Sequence, residues 1–411
     1  MAAITPFRAL RPDAAVAPRV SSVPYDVVST DEARTLAEGE PLSFLRVTRA
    51  ELELAAEVDP YSEGVYQQAR VNLERLKREA PLVTDPEPSL YVYRLQMGDH
   101  VQTGVAGAFS LDDYEHDRIK KHERTRRVKE DDRTRHIVTL RAQTGIVFLT
   151  YRASGAIDDA VRRITAAAPL YDFVATDGVV HHVWKASDAE RDALVDAFGP
   201  VPDLYIADGH HRAASAWRAM GEIRGGGAAH PPAPGAGDPG TFLAVAFPHD
   251  QVRILPYHRV IRDLGDRNPM QFLAELERRF RFVEAPPQPE RPGCVGFYLG
   301  DRWRTLVLEP APADASTAER LDCEQLSRQV LAPLVSIGDL RNDERVDFVG
   351  GIRGTAELER LVDAGRAAAA FALHPVAIED LFAVSDAGEV MPPKSTWFEP
   401  KLRDGLLVQE I

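Results

Sequence analysis

The stretch LYIADGHHRAAS, residues 204–215, sets an acid, a glycine, two histidines and an arginine where an apolar, strand-like run gives way to small helix formers. A helix beginning near Gly209 presents the N–H groups of its first turn outward, and such an end binds anions. The same partial positive charge opposes cations, so His210, His211 and Arg212 in that turn break a local rule. Broken rules of this kind concentrate at functional sites. A bound phosphate relieves the conflict. Arg212 offers a fork of donors to its oxygens, while His210 and His211 donate or shuttle protons. Asp208 either caps the helix or holds Mg²⁺ beside the phosphate, and Gly209 supplies the tight turn and lets a ligand approach the backbone. A purely structural use of these residues also exists, with Asp208 as a helix cap and solvated histidines. On the phosphate reading Arg212 is spare to the fold, and its removal leaves ligand-free stability little changed or improved.

Further candidates are scattered. KHERTRRVKEDDRTR (121–135) is densely charged, which by pattern alone is a solvated helix face, and HERTR lacks the second histidine of a zinc motif. SSVPYDVVS (21–29) holds Asp26 in a turn after Pro24, where a helix cap or an Asx turn is the ordinary use. LPYHRV places His258 and Arg259 on opposite faces of a strand. MPPKSTWFEPKL presents Lys394, Ser395, Thr396 and Lys401, a pattern suited to a second anion contact, or else an exposed loop; Trp397 and Phe398 argue against full exposure. On the first of these uses, truncation after Gly388 abolishes ligand binding and leaves the first domain folded. No G-x-S-x-G elbow, phosphate-binding G-x-x-x-x-G-K-[ST] loop or paired C-x-x-C occurs. His181 and His182 fall on a strand and read as structural.

The elements that must position these groups follow from periodicity. Helices are expected over 65–80, 129–143, 156–168 and 187–199, and strands over 89–97, 100–110, 145–152, 179–187 and 241–248, with Gly98-Asp99 as a hairpin turn. The helix after Gly209 is expected to pack Ala213, Ala216, Trp217 and Met220. Residues 223–240, rich in glycine and proline, read as a flexible insertion. The 252–261 strands are assigned to the first sheet, since the strand–helix motif needs a sheet around it. The domains are thus 1–264 and 265–411, the second holding a helix over 320–332. The fold class is α+β.

With 411 residues, two domains are expected. A net charge of −14 argues against a specific nucleic-acid partner or an anionic membrane surface. Two cysteines build no disulfide framework, and the first residues lack a secretory apolar run, which makes a cytoplasmic location the expectation.

ADGHHR resembles the signature of the ParB/sulfiredoxin-like fold, and its Asp-Gly-His-His-Arg version is most similar to the free-serine-kinase branch. Across nearly the whole chain the sequence resembles the prokaryotic family called domain of unknown function 1015. The matching stretches are SSVPYDVVS, KHERT, YIADGHHR, ILPYHRVI and GEVMPPKSTWFEPKLRDGL, and Ala213 replaces the bulky residue common after the arginine. The resemblance implies a mixed-sheet ParB/sulfiredoxin-like first domain with a smaller α+β domain after it. It implies that Lys121, His122, Glu123 and Thr125 line the pocket, Glu123 being a candidate general base alongside Asp26. The implied activity is phosphoryl transfer from ATP or ADP, with Mg²⁺, to a small hydroxyl metabolite such as serine or phosphoserine. The alternatives are a phosphohydrolase using the same cradle and a non-catalytic nucleotide-binding regulator. The oligomeric state is left open.

Overall fold

A computed structural model describes residues 3–227 and 230–411; Ala228 and Ala229 of the expected insertion lie outside the described residues. The chain forms two compact units, one of residues 1–121, 125–252 and 400–411, the other of 122–124 and 253–399.

The first unit is built on a nine-stranded mixed sheet. Its strands are β1 (Ile4–Thr5), β2 (Tyr91–Met97), β3 (His100–Ser110), β4 (Ile119–Lys120), β5 (Val147–Tyr151), β6 (Tyr171–Val174), β7 (Val180–Lys185), β8 (Leu204–Asp208) and β9 (Thr241–Pro248). They lie in the order β4-β8-β5-β9-β3-β2-β7-β6, with β1 also on β3. The β2–β3 hairpin turns at Gly98, whose φ of +59° is the left-handed conformation such a turn requires. The β4–β8 and β5–β9 pairs are parallel and the remaining pairs antiparallel. Two helices matter most to the site, α1 (Arg127–Leu140) and α2 (His210–Arg224). Helices Gly155–Ile164 and Asp188–Phe198 pack Ile157, Ile164, Leu194 and Phe198 into the same apolar core as Leu149, Ile206 and Phe242 of the sheet. Ser187 and Glu190 close a capping box on the second of them.

The division between the units differs from the one expected near Gly265. Residues 253–261 leave the first sheet: Arg253–Leu255 pairs with Trp397–Glu399, and Tyr257–Ile261 with Val346–Gly350 and Ala369–Leu373. The strand carrying the DGHHR motif already has β4 and β5 as neighbours, so it needs no strand from this segment. The last residues also change side. Val408–Glu410 pairs with Ala9–Leu10 and Ala142–Gln143 in a small antiparallel sheet, which draws 400–411 into the first unit. Within the expected insertion, Gly237 N–H donates to Glu410 O and Arg224 pairs with Asp238.

The second unit carries a six-stranded antiparallel sheet. The helix expected over 320–332 is present as a helical run over 322–335 that contains a π turn. Leu321 is extended, Asp322–Leu326 is α-helical, Ser327–Leu331 widens to a π turn, and Ala332–Val335 follows. Pro333, which donates no N–H, fits the first turn of that last piece. Cys294 and Cys323 are buried and unbridged. Among the described residues no helix is long and apolar enough to cross a membrane.

Candidate functional site

The motif strand is buried along Leu204–Ala207, between two neighbours in the sheet. At its end Gly209 takes φ +99°, and α2 starts at the next residue. A side chain at Gly209 would be strained by that φ, and its Cβ would stand 3.4 Å from the Arg212 guanidinium. The N-cap of α2 is Gly209, not Asp208. The Asp208 carboxylate accepts from Lys401 Nζ at 3.2 Å and from Arg212 Nη2 at 3.4 Å.

Ala213, Ala216 and Ala219 form the buried face of α2, with Met220 and Ile223 partly buried against the same core. Trp217, expected on that face, is 38% exposed. The alanines face the apolar core of the sheet, and another face of the helix meets α1, where Ser215 Oγ donates to Glu130 O at 3.2 Å.

Arg212 is an internal tie. Its side chain is 5% exposed. Nη1 donates to Ile146 O, and Nη2 donates to Asp26 Oδ1 and Oδ2 at 3.3 and 3.2 Å besides Asp208. The backbone makes room for it at Gly145, where a Cβ would meet Arg212 Cδ at 3.1 Å. Asp26 is one-third exposed and sits within the turn in which Val27 N–H returns to Pro24 O.

His210 is not the cation expected. Burial pushes His210 down to about 3, against the pull of Asp208, so it is neutral at neutral pH. His211 Nε2 accepts from Arg126 N–H at 3.0 Å. Arg212 is the permanent positive charge in the first turn of α2, and two carboxylates cover it. The conflict read from the sequence is relieved by burial and pairing within the protein, without a ligand. For the same reason Arg212 is not spare to the fold.

Sequence reasoning missed Asp404. It is 1% exposed, and its main chain bridges Ser22 in both directions, at 3.1 and 2.9 Å. Burial, with the negative charge of Asp26 adding to it, raises its carboxyl to about 7 although Arg212 and Arg133 pull the other way. The signal available was an acid before a glycine in RDGL, inside the long C-terminal stretch.

Lys121 and Thr125 belong to the same unit, but their polar ends serve neighbours. Lys121 Nζ donates to Tyr114 O at 2.8 Å and pairs with Asp117 at 2.7 Å, and the Thr125 hydroxyl donates to Glu130. His122 and Glu123 belong to the second unit with Lys394, Ser395 and Thr396. There His122 O accepts from Met391 N–H at 2.8 Å, and Ser395 Oγ donates to Pro392 O at 2.7 Å. Lys394 Nζ lies 5.6 Å from the Tyr257 ring centre. His258 and Arg259 are both fully buried in that unit. The stretch expected as one second anion contact is thus divided, with 394–396 in one unit and Lys401 in the other. Among the described residues no group of three or more His, Cys, Asp or Glu side chains is arranged to hold a metal. With two cations on the carboxylate of Asp208, the Mg²⁺ expected there does not fit this arrangement.

Comparison with known proteins adds the following. The family described as protein of unknown function (DUF1015) matches residues 4–324. Three solved structures are similar over 74% of this chain at 14% identity. A conserved hypothetical protein from Pyrococcus furiosus is covered over 95% of its length with a TM-score of 0.36. A free serine kinase variant in complex with ADP is covered over 92% with a TM-score of 0.36. SbnI with a C-terminal truncation, from Staphylococcus aureus, is covered over 87% with a TM-score of 0.38. No curated protein matches.

Proposed function

We propose that this chain, which belongs to the DUF1015 family, binds the phosphates of ATP or ADP where β8 turns into α2 and transfers a phosphoryl group to a small hydroxyl metabolite of the serine class. The observation that carries this reading is the chain of charges Lys401–Asp208–Arg212–Asp26 at the N-terminal end of a 15-residue helix entered through a left-handed glycine. A helix end of this kind attracts phosphate, and Lys401 adds a cation beside it. The strand–glycine–helix placement of ADGHHR also supports the ParB/sulfiredoxin-like reading of the first unit.

The roles divide by burial. Arg212, being internal, acts on Asp26 and Asp208 and does not reach for the phosphate itself. Asp26, one-third exposed, takes the proton of the acceptor hydroxyl. The acceptor oxygen forms the new P–O bond as the bridging P–O bond of the nucleotide breaks, and the nucleotide leaves with the electron pair. Charge on the transferring phosphoryl oxygens is met by the first-turn N–H groups of α2 and by Lys401. Positioning and electrostatics of this kind carry most of phosphoryl-transfer catalysis.

Calorimetric titration with ADP and ATP, followed by phosphorus NMR with L-serine present, tests the reading. Saturable binding and a new phosphoester resonance are expected. Asp26→Asn lowers the transfer rate by at least ~10²-fold while retaining nucleotide binding. Absence of nucleotide binding overturns the proposal, and inorganic phosphate without a phosphoester makes the protein a phosphohydrolase.

A further inference from the structure

We propose that the second unit carries a binding site for a small zwitterion, one with a free ammonium, a free carboxylate and an aliphatic body, held between Glu389 and Arg124. The site does not depend on the function proposed for the first unit.

A cavity of about 610 Å³ opens in the second unit, within the size range of small-molecule sites. All of its lining residues belong to that unit. They come from the helical run over 322–335, the turn at 337–341 and the segment 388–393, with Arg124 from the 122–124 piece and a few residues near 316–319. The π turn at Ser327–Leu331 reaches the cavity through Ser327 and Arg328, and widened turns of this kind recur at functional sites.

The lining charges differ in whether the protein already answers them. Glu319 accepts from Arg328 Nη2 at 2.8 Å and from Ser316 N–H at 3.0 Å. Glu324 accepts from Arg328 Nε at 2.6 Å. Asp339 accepts from Arg341 N–H at 2.9 Å and from Asn342 Nδ2 at 2.7 Å. Glu389 differs from these three. Its carboxylate accepts no hydrogen bond from the described residues, and Oε2 is buried. A buried acceptor left without a donor is costly, and a ligand ammonium supplies the donor. Arg124 is exposed at the same cavity and pairs with no acid among the described residues. Its planar fork of donors matches a carboxylate. An unanswered anion and an unanswered cation thus border one cavity without pairing with each other. A ligand carrying both charges satisfies both.

The rest of the lining selects the body of the ligand. Ser316 Oγ accepts from Glu319 N–H at 3.4 Å, and Ser327 Oγ donates to Cys323 O at 2.8 Å, so both lining hydroxyls are engaged. Ala332, Val390, Pro392 and Pro393 offer apolar surface. The proline wall is held from within the unit: Arg259 Nη2 donates to Pro393 O at 3.1 Å and Ser395 Oγ to Pro392 O at 2.7 Å. A wall fixed in advance loses little freedom when a ligand docks. The chemistry is that of an aliphatic amino acid or of a short peptide of such residues, both of which keep free ends.

Calorimetric titration of the full-length protein with L-leucine and with leucyl-leucine tests the site. Saturable binding is expected, and the tighter of the two identifies the source. N-acetyl-L-leucine lacks the ammonium and L-leucinamide lacks the carboxylate. Each is expected to bind at least ~10-fold more weakly than its zwitterion, the worth of one hydrogen bond to a charged group. Glu389→Gln weakens L-leucine by a similar factor and leaves the residual affinity for N-acetyl-L-leucine unchanged. Arg124→Ala, at an exposed position, weakens L-leucine and leaves L-leucinamide unchanged, which keeps the test decisive should Glu389→Gln not fold. No saturable binding of either zwitterion overturns the proposal, as does equal binding of free and acetylated leucine. Leucine binding that neither substitution weakens also overturns it.

Discussion

At the scale of residues, the site is governed by what burial does to charge. Arg212 holds Asp26, Asp208 and Ile146 O together from inside the protein. Arg212→Ala leaves that cluster without its cation and is expected to cost about 3–5 kcal/mol of stability. Urea denaturation of the ligand-free variant checks this, and a wild-type midpoint would return Arg212 to the role of a spare phosphate clamp. The pH dependence follows from groups pushed in opposite directions. Burial holds His210 at about 3 and His136 at about 4, below an unfolded value of about 6.5. The unfolded chain binds more protons through that window, so these histidines make stability fall as pH drops from about 6.5. Asp404, at about 7 when folded and about 3.9 when unfolded, does the reverse. The folded chain holds its proton between those values, so stability from this group is present below about 4 and is lost as pH rises through about 7. Asp404→Asn removes the opposing term, and the gain of stability between pH 4.5 and 7 should become steeper than in wild type. Denaturant midpoints at four pH values decide it; parallel curves would show that Asp404 does not hold a proton.

At the scale of elements, α2 depends on one glycine and tolerates change at another. Gly209 sits at φ +99° with the Arg212 guanidinium beside its missing Cβ. Gly209→Ala is expected to cost about 1–3 kcal/mol from backbone strain and to weaken nucleotide binding in the same sample. Gly221 lies inside the helix, and a Cβ there meets nothing within 4 Å. Gly221→Ala is expected to stabilise by about 0.5–1 kcal/mol and to leave nucleotide affinity unchanged. Thermal melting and nucleotide titration of the two variants side by side separate a turn requirement from a general sensitivity of the helix. The position of Trp217 belongs to the same scale. Spacing alone allowed the packed face of α2 to include it, but the face that meets the sheet core is centred on Ala213, Ala216 and Ala219 and leaves Trp217 at its edge.

At the scale of the whole molecule, the last residues of the chain hold the first unit together. Pro400–Ile411 supplies Lys401 and Asp404 to the charge cluster and Val408–Glu410 to the small sheet, with Gln409 facing both Ala9 and Gln143. Truncation after Glu399 is therefore expected to abolish cooperative unfolding of the first unit. This is contrary to the expectation from sequence that a C-terminal deletion spares it. Hydrogen exchange on β8 and β9 in the truncated chain reads the effect directly, and wild-type protection there would show the C-terminus to be dispensable. The net charge of −14 makes duplex DNA a weak partner at physiological salt, and fluorescence anisotropy with a labelled duplex tests that expectation.

What the sequence by itself determined is local. The strand–glycine–helix turn at 204–224, the hairpin at Gly98 and the capped helix after Ser187 were legible because each depends on residue types within a few positions of one another. The resemblance to the family was legible in the same way, from short stretches. Only the tertiary structure decided which charges meet. Asp26, Asp208, Arg212, Lys401 and Asp404 come from three distant parts of the chain, and no periodicity relates them. Burial, which pushes His210 down and Asp404 up, is a property of what surrounds a residue. The pairing of Val408–Glu410 with strands near the start and middle of the chain is likewise a long-range choice. It places the C-terminus in the first unit because strands pair wherever a free edge and a matching register meet, whatever their separation in sequence.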